Sequence, residues 1–244
     1  VSTWDRRAVQ VLAHRGASAV ERENTVAAFR RAVAVGADGV ELDVRRSADG
    51  RLVVHHDAAL PDGRMVHETR AAELPAHVPS LHEALDACAG AWVNLEVKND
   101  PREAAFDPAE RVAEQTVSSL LVRGDPERWL VSSFRREAIA RVRAAADAAG
   151  APIRTAWLCN AAPAGVVEWL VAAGHGALHP FVERLERDVV ERCRAAGLDV
   201  TPWTCDDPGR MAELVGWGVT AICTNLPDVA RRVVDGLAGT TPPV

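Results

Sequence analysis

The feature that most constrains this chain is a junction repeated seven times: an Ala-rich amphipathic helix, a glycine, and then a short apolar or β-branched run. It recurs at Gly36, Gly90, Gly124, Gly150, Gly174, Gly197 and Gly218. A glycine at that point accepts the left-handed conformation that ends a helix, and the run that follows has the length of a buried strand. With the opening run Val9–Ala13, the junctions predict eight strands. Helices stand between them, so the strands should pair in parallel, joined by helical crossovers. Eight such units in 244 residues predict a (β/α)8 barrel. The rival is a doubly wound open sheet, which usually carries a Gly-rich phosphate loop after its first strand. Here the first strand runs into His14-Arg15-Gly16-Ala17, so the barrel is favoured.

No linker or low-complexity run divides the sequence, so residues 1–244 read as one barrel domain, with Gly239–Val244 as a tail. The interval from Gly36 to Gly90 is the longest between junctions. Within it, Arg51–His56 reads as an extra short strand after the turn Ala48-Asp49-Gly50, and residues from 57 to 80 as a short insertion over the C-terminal rim. A helix over Ser80–Cys88 should follow.

Charge and cysteine usage exclude several classes. The net charge of −6 argues against a nucleic-acid partner, which demands a basic face. Cys88, Cys159, Cys193, Cys205 and Cys223 are widely spaced and fit neither a disulfide framework nor a zinc site, so they read as reduced thiols. Val1–Gln10, with Asp5, Arg6 and Arg7, has no apolar leader core, and no stretch approaches about 18 uncharged apolar residues. The expectation is a cytoplasmic protein without a stable membrane anchor. The chain does not begin with Met, which leaves a removed leader open, and no feature specifies an oligomeric state.

The candidate chemistry lies at the strand ends. In Val40-Glu41-Leu42-Asp43-Val44, alternation places Glu41 and Asp43 on the inner face and the apolar residues toward the helices. The next barrel strand contributes Asn94, Glu96 and Lys98 to its inner face. Three inward carboxylates repel one another and lose hydration, so they need a cation or strong donors. An all-oxygen set suits one Mg²⁺ or Ca²⁺. A buried acid–base network that only ties the strand ends together is the alternative.

His14 ends the first strand and His56 the extra one, so both reach the rim, where an imidazole can serve as general acid or base. Asp57 can orient His56. His55 should face away, and it, His67, His77, His82, His175 and His179 read as structural. Arg15 and Lys98 can bind phosphoryl oxygens, with a surface salt bridge as the alternative for Arg15. Phe134 and Trp203 end the fourth and seventh barrel strands and can line the mouth against a leaving alcohol. Asn24 reads as the N-cap of a helix over Val26–Val35, with Glu23 beside the site. Together these groups describe phosphodiester cleavage.

His14-Arg15-Gly16, Glu23-Asn24-Thr25, the segment Gly36 to Val44, Asp49-Gly50, Val53 to Asp57, Val78-Pro79-Ser80-Leu81 and Asn94-Leu95-Glu96-Val97-Lys98 resemble the glycerophosphodiester phosphodiesterase family in order and spacing. Ser133-Phe134, Trp157-Leu158, Pro202-Trp203-Thr204 and Thr224 to Asp228 extend the resemblance over nearly the whole chain. It implies a (β/α)8 barrel in which Glu41, Asp43 and Glu96 hold a divalent cation. His14 and His56 would be the acid–base pair, and Arg15 and Lys98 the phosphate ligands. The implied reaction splits a glycerophosphodiester into glycerol 3-phosphate and an alcohol, with the order of the histidines open. Two departures stand out: Arg22 replaces the proline usual before Glu-Asn-Thr, and Cys205-Asp206 replaces an apolar residue and Asn. Competing functions are a phospholipase D-like or cyclising activity on lysophospholipids, which would need an acyl path, and a non-catalytic phosphate-binding barrel.

Overall fold

The computed structural model describes residues 9–238; Asp5, Arg6, Arg7 and the tail Gly239–Val244 lie outside the described residues. The strands are β1 (Gln10–Ala13), β2 (Gly39–Arg46), β3 (Leu52–Val54), β4 (Trp92–Val97), β5 (Trp129–Ser133), β6 (Arg154–Cys159), β7 (Ala177–Pro180), β8 (Asp199–Val200) and β9 (Ala221–Thr224). The helices are α1 (Val26–Ala34), α2 (Leu81–Ala87), α3 (Arg111–Arg123), α4 (Arg136–Ala148), α5 (Val166–Ala172), α6 (Arg187–Ala195), α7 (Pro208–Trp217) and α8 (Pro227–Ala238).

All strands except β3 lie parallel in the order β8-β7-β6-β5-β4-β2-β1-β9. The two ends of this path meet. Thr220 N–H donates to the Val200 carbonyl at 2.9 Å, Cys223 N–H to Pro202 at 3.1 Å, and Cys205 N–H to Cys223 at 2.9 Å. The chain is therefore the (β/α)8 barrel that the junctions predict. β8 is short because Pro180, facing it from β7, has no N–H to donate to the ladder; pairing resumes at a bridge between Phe181 and Trp203.

β2 is the longest strand, and its end beyond the barrel pairs with antiparallel β3, Val44 opposite Val54 and Arg46 opposite Leu52. The hairpin turns the chain back, so that His55 and His56 return to the rim. The insertion that follows packs on its own small core of Val53, Leu60, Val66 and Val78. Val40, Leu42 and Val44 are buried in the main core with the helices, as strand alternation demands, which leaves the opposite face of β2 to Glu41 and Asp43.

Local chemistry explains the helix starts. Ser80 and Glu83 form a capping box, so α2 begins at Leu81. The cap of α1 differs from the expectation: Thr25 Oγ1 accepts from Ala28 N–H at 3.2 Å, so Thr25 and not Asn24 is the N-cap. Asn24 sits in the left-handed region (φ 57°), which turns its amide away from the helix.

Two glycines permit contacts that any side chain would block. A Cβ on Gly39 would lie 2.3 Å from the Trp92 ring, which fills the barrel interior. One on Gly16, at φ +85°, would lie 2.6 Å from the Ala28 backbone, so Gly16 lets the loop after β1 rest on α1. The five cysteines are free and buried. Among the described residues, no helix is long and apolar enough to cross a membrane.

Candidate active site

β2 and β4 are neighbours in a register that sets Glu41 beside Asn94 and Asp43 beside Glu96. Since both strands alternate, all four side chains point into the barrel, and oxygens of Glu41, Asp43 and Glu96 lie within 4.8 Å of one another. Glu41 and Asp43 are buried.

The loop after β1 is folded around these carboxylates. Arg15 takes a left-handed backbone (φ 55°), an uncommon state for a residue with a Cβ. It aims the Arg15 N–H at Glu41 Oε2, 2.8 Å away. Its guanidinium meets Asp43 Oδ2 at 3.3 Å through Nε and Glu23 at 3.0 Å through Nη1. Asn24 donates from Nδ2 to Asp43 Oδ2 at 2.7 Å and accepts the Asp43 N–H at 3.2 Å. The residue expected to cap a helix thus holds a site carboxylate. Lys98 Nζ donates to Glu96 Oε1 at 2.8 Å and stands 3.5 Å from Asp43 Oδ1.

These surroundings split the three acids. Burial, reinforced by Asp43 and Glu96, pushes the Glu41 carboxyl well above the usual carboxylate range. Burial also raises Glu96, with Lys98 opposing and Asp43 reinforcing. Burial would raise Asp43 too, but Lys98, Arg15, His56 and the Asn24 amide outweigh it and hold it below its ordinary value. Glu41 Oε1 and Asp43 Oδ1 are buried without a hydrogen bond. Glu41 Oε1 has no hydrogen-bond donor and Asp43 Oδ1 only the Lys98 ammonium at ion-pair distance, and a hard divalent cation between them would satisfy both. The cluster therefore fits a metal ion by donor type, closeness and missing partners.

The two rim histidines have different surroundings. His14 Nδ1 lies 2.7 Å from Asn225 Oδ1, which leaves Nε2 for the cavity. Burial, then the neighbouring Arg15, lowers the His14 pKa, against which the Asn225 bond and the Asp43 and Glu23 charges work. His56 Nδ1 lies 2.7 Å from Asp57 Oδ1. Its backbone carbonyl accepts from Arg45 Nε at 2.8 Å and Nη2 at 2.6 Å, while Glu103 holds the far side of that guanidinium. His55 Nδ1 instead meets the Asp57 carbonyl at 2.9 Å, and His55 is absent from the lining of the His14 cavity; it lines a neighbouring one with Arg22 and His77, to which His56 also contributes.

His14, Arg15, Glu41, His56, Glu96, Lys98, Phe134 and Trp203 line one cavity of about 190 Å³. It adjoins a wider one of about 730 Å³ that shares His56, Glu96, Lys98 and Phe134. Phe134 is 42% exposed and meets the half-buried Trp203 edge to face, centroids 5.5 Å apart. Trp203 Nε1 donates to the His179 carbonyl at 2.8 Å, so this ring serves both core and mouth.

Several contributors escape sequence reasoning. Asn24, Asp206 and Asn225 act on site residues from other segments, with no strand periodicity to mark that role; Arg45 follows Glu41 and Asp43 on the same face of β2, so alternation could have found it. His179 likewise shares an inward face with Ala177 on β7, so alternation could have found it too. It lines the cavity with Nε2 unpartnered, and burial followed by Arg154 pushes its pKa down to about 3, so it stays neutral.

Comparison with known proteins gives a consistent result. The family described as the Glycerophosphoryl diester phosphodiesterase family matches residues 14–229. A glycerophosphodiester phosphodiesterase of Caldanaerobacter subterraneus subsp. tengcongensis is 31% identical, over 92% of this chain and 97% of that protein. One from Bacillus subtilis is 26% identical, over 93% and 87%. Among solved structures, an Oleispira antarctica phosphodiesterase in complex with the product sn-glycerol-3-phosphate superposes with a TM-score of 0.84 at 27% identity, covering 93% of this chain and 97% of that one. The Parabacteroides distasonis glycerophosphodiester phosphodiesterase shares the fold, with a TM-score of 0.84 at 24% identity over 96% and 100%.

Proposed function

Since the chain belongs to the glycerophosphoryl diester phosphodiesterase family, we propose that it hydrolyses small glycerophosphodiesters to glycerol 3-phosphate and an alcohol, using a divalent cation and two histidines. The observation that carries this reading is the single cavity onto which His14, His56, Arg15, Lys98, Glu41 and Glu96 all open.

Glu41, Asp43 and Glu96 would hold one Mg²⁺ or Ca²⁺. Bound there, the cation supplies Lewis-acid polarisation of a phosphoryl oxygen and lowers the pKa of an attacking hydroxyl. With all three carboxylates ionised, Arg15 and Lys98 bring only two positive charges to them, so a cation is needed for the ionised set to accept a phosphodiester anion. Their guanidinium and ammonium groups bind the remaining phosphoryl oxygens and gain most as charge builds in the transition state.

The histidines divide the proton work by environment. His14 Nε2 takes the proton of the attacking hydroxyl as its oxygen bonds to phosphorus. His56, its Nδ1 held by Asp57, gives a proton from Nε2 to the leaving alkoxide as the P–O bond breaks. If the neighbouring glycerol hydroxyl attacks, a cyclic phosphate forms, and water opens it with the two roles exchanged. Phe134 and Trp203 border the alcohol. A lysolipid substrate would need an acyl path, whereas Leu60 and Val66 of the insertion are 3% and 1% exposed and pack into its own core.

Incubation of the cation-supplemented protein with a panel of glycerophosphodiesters should release glycerol 3-phosphate, measured by a coupled dehydrogenase. No release from any member of the panel would overturn the reading.

Arg15→Lys should lower kcat by about tenfold or more with a smaller change in KM. The guanidinium is only 18% exposed and spans Glu23 and Asp43 at once. An ammonium keeps the charge but lacks the planar multi-point donor. A wild-type kcat in steady-state kinetics on glycerophosphocholine would reduce Arg15 to a structural ion pair.

A further inference from the structure

We propose that Asp206 is a positioning residue for this reaction, fixing through Asn225 which nitrogen of His14 faces the substrate. This rests on the reading of His14 as proton acceptor. Asp206 lies in the loop between β8 and α7, and Asn225 just beyond β9. Asp206 Oδ1 accepts from Thr224 Oγ1 at 2.8 Å and from the Asn225 backbone N–H at 2.8 Å. Asp206 Oδ2 accepts from the Asn225 side-chain Nδ2 at 2.7 Å. Asn225 Oδ1 then faces His14 Nδ1 at 2.7 Å, with Ser18 Oγ 2.8 Å away.

The logic lies in donor and acceptor counts. An ionised carboxylate only accepts, so the amide of Asn225 must turn its NH₂ to Asp206 and its oxygen to His14. An amide oxygen also only accepts, so His14 Nδ1 must carry the proton. A neutral imidazole with Nδ1–H has its lone pair on Nε2, the nitrogen left for the cavity. Thus a carboxylate that touches neither substrate nor His14 selects the tautomer in which His14 can act as a base. Asn225 alone cannot do this, because its amide would serve equally well after a half-turn that offers NH₂ to Nδ1. Ser18 does not decide it either, since a hydroxyl can donate or accept.

Asp206→Asn tests the relay. To keep the bonds from Thr224 and the Asn225 backbone, the substituted amide must place its own NH₂ against that of Asn225, donor against donor. The Asn225 amide relieves the conflict by turning, which presents NH₂ to His14 Nδ1 and moves the imidazole proton to Nε2. The double variant Asp206→Asn/Asn225→Asp exchanges the two groups. The new amide then donates to the new carboxylate, whose other oxygen accepts Nδ1–H, so the original tautomer returns.

The readouts are ¹⁵N NMR of histidine-labelled protein, which distinguishes Nδ1–H from Nε2–H, and steady-state kinetics on glycerophosphocholine. Asp206→Asn should shift the His14 tautomer and lower kcat by about 10²-fold with little change in KM, the scale for a misset catalytic imidazole or a lost supporting partner. The exchanged pair should restore both to within about tenfold of wild type in kcat. Retention of Nδ1–H in Asp206→Asn, or an exchanged pair that leaves the tautomer displaced, would overturn the proposal. A tautomer that moves and returns as described while kcat never changes would uphold the positioning and overturn the assignment of His14 as proton acceptor.

Discussion

EDTA treatment is expected to lower kcat by at least about 10³-fold, equivalent to about 4 kcal/mol of transition-state stabilisation, and added Mg²⁺ or Ca²⁺ to restore it. The expectation follows from the charges and from the unmet bonding of two oxygens. Glu41 and Asp43 are buried, and Glu41 Oε1 and Asp43 Oδ1 have no hydrogen-bond partner. A network that existed only to tie strands together would give both atoms hydrogen bonds, whereas Glu41 Oε1 has none and Asp43 Oδ1 has only the Lys98 ammonium 3.5 Å away. Binding to the folded state alone also stabilises it by about 2.7 kcal/mol at a hundredfold excess over Kd. Thermal melting should therefore rise with added cation in the wild type and much less in Glu96→Gln. Full activity of protein shown to be metal-free would remove the cation from the mechanism.

His14→Ala and His56→Ala should each reduce kcat by at least about 10²-fold while the melting temperature stays near that of the wild type. Both imidazoles line the cavity and both hold Nδ1 against an oxygen, which leaves Nε2 to the substrate. His55→Ala should have a far smaller effect, because His56 and not His55 lines the cavity with His14, while His55 Nδ1 meets the Asp57 carbonyl. The contrast is informative since His55 and His56 are adjacent: kinetics showing His55 essential and His56 dispensable would reverse the facing of the segment after β3.

Much of this was readable along the chain because strand geometry is periodic. Glu41 and Asp43 are two residues apart on one strand, so they share a face whatever surrounds them. Asn94, Glu96 and Lys98 obey the same rule. Asn24 shows where the rule ends. Its position before an apolar helix is what an N-cap looks like, and Thr25, one residue later, is an equally good cap. The backbone conformation at Asn24 decided between them, and that depends on α1 resting against Gly16 and on Asp43 arriving from β2.

The number and kind of repeating units and the inward set of acids were set along the chain, because each depends on local periodicity and helix termination; the extra strand expected over Arg51–His56 is shorter, Leu52–Val54, so His56 stands in the loop beyond it. Only the tertiary structure decided the partners: closure of the ring between β8 and β9, the register that sets Asp43 beside Glu96, and the meeting of Asp206, Asn225 and His14. Such contacts join residues as far as 211 positions apart. They form when a closed barrel brings its first and last strands together, and a single hydrogen bond between distant polar residues leaves no periodic trace in the intervening chain.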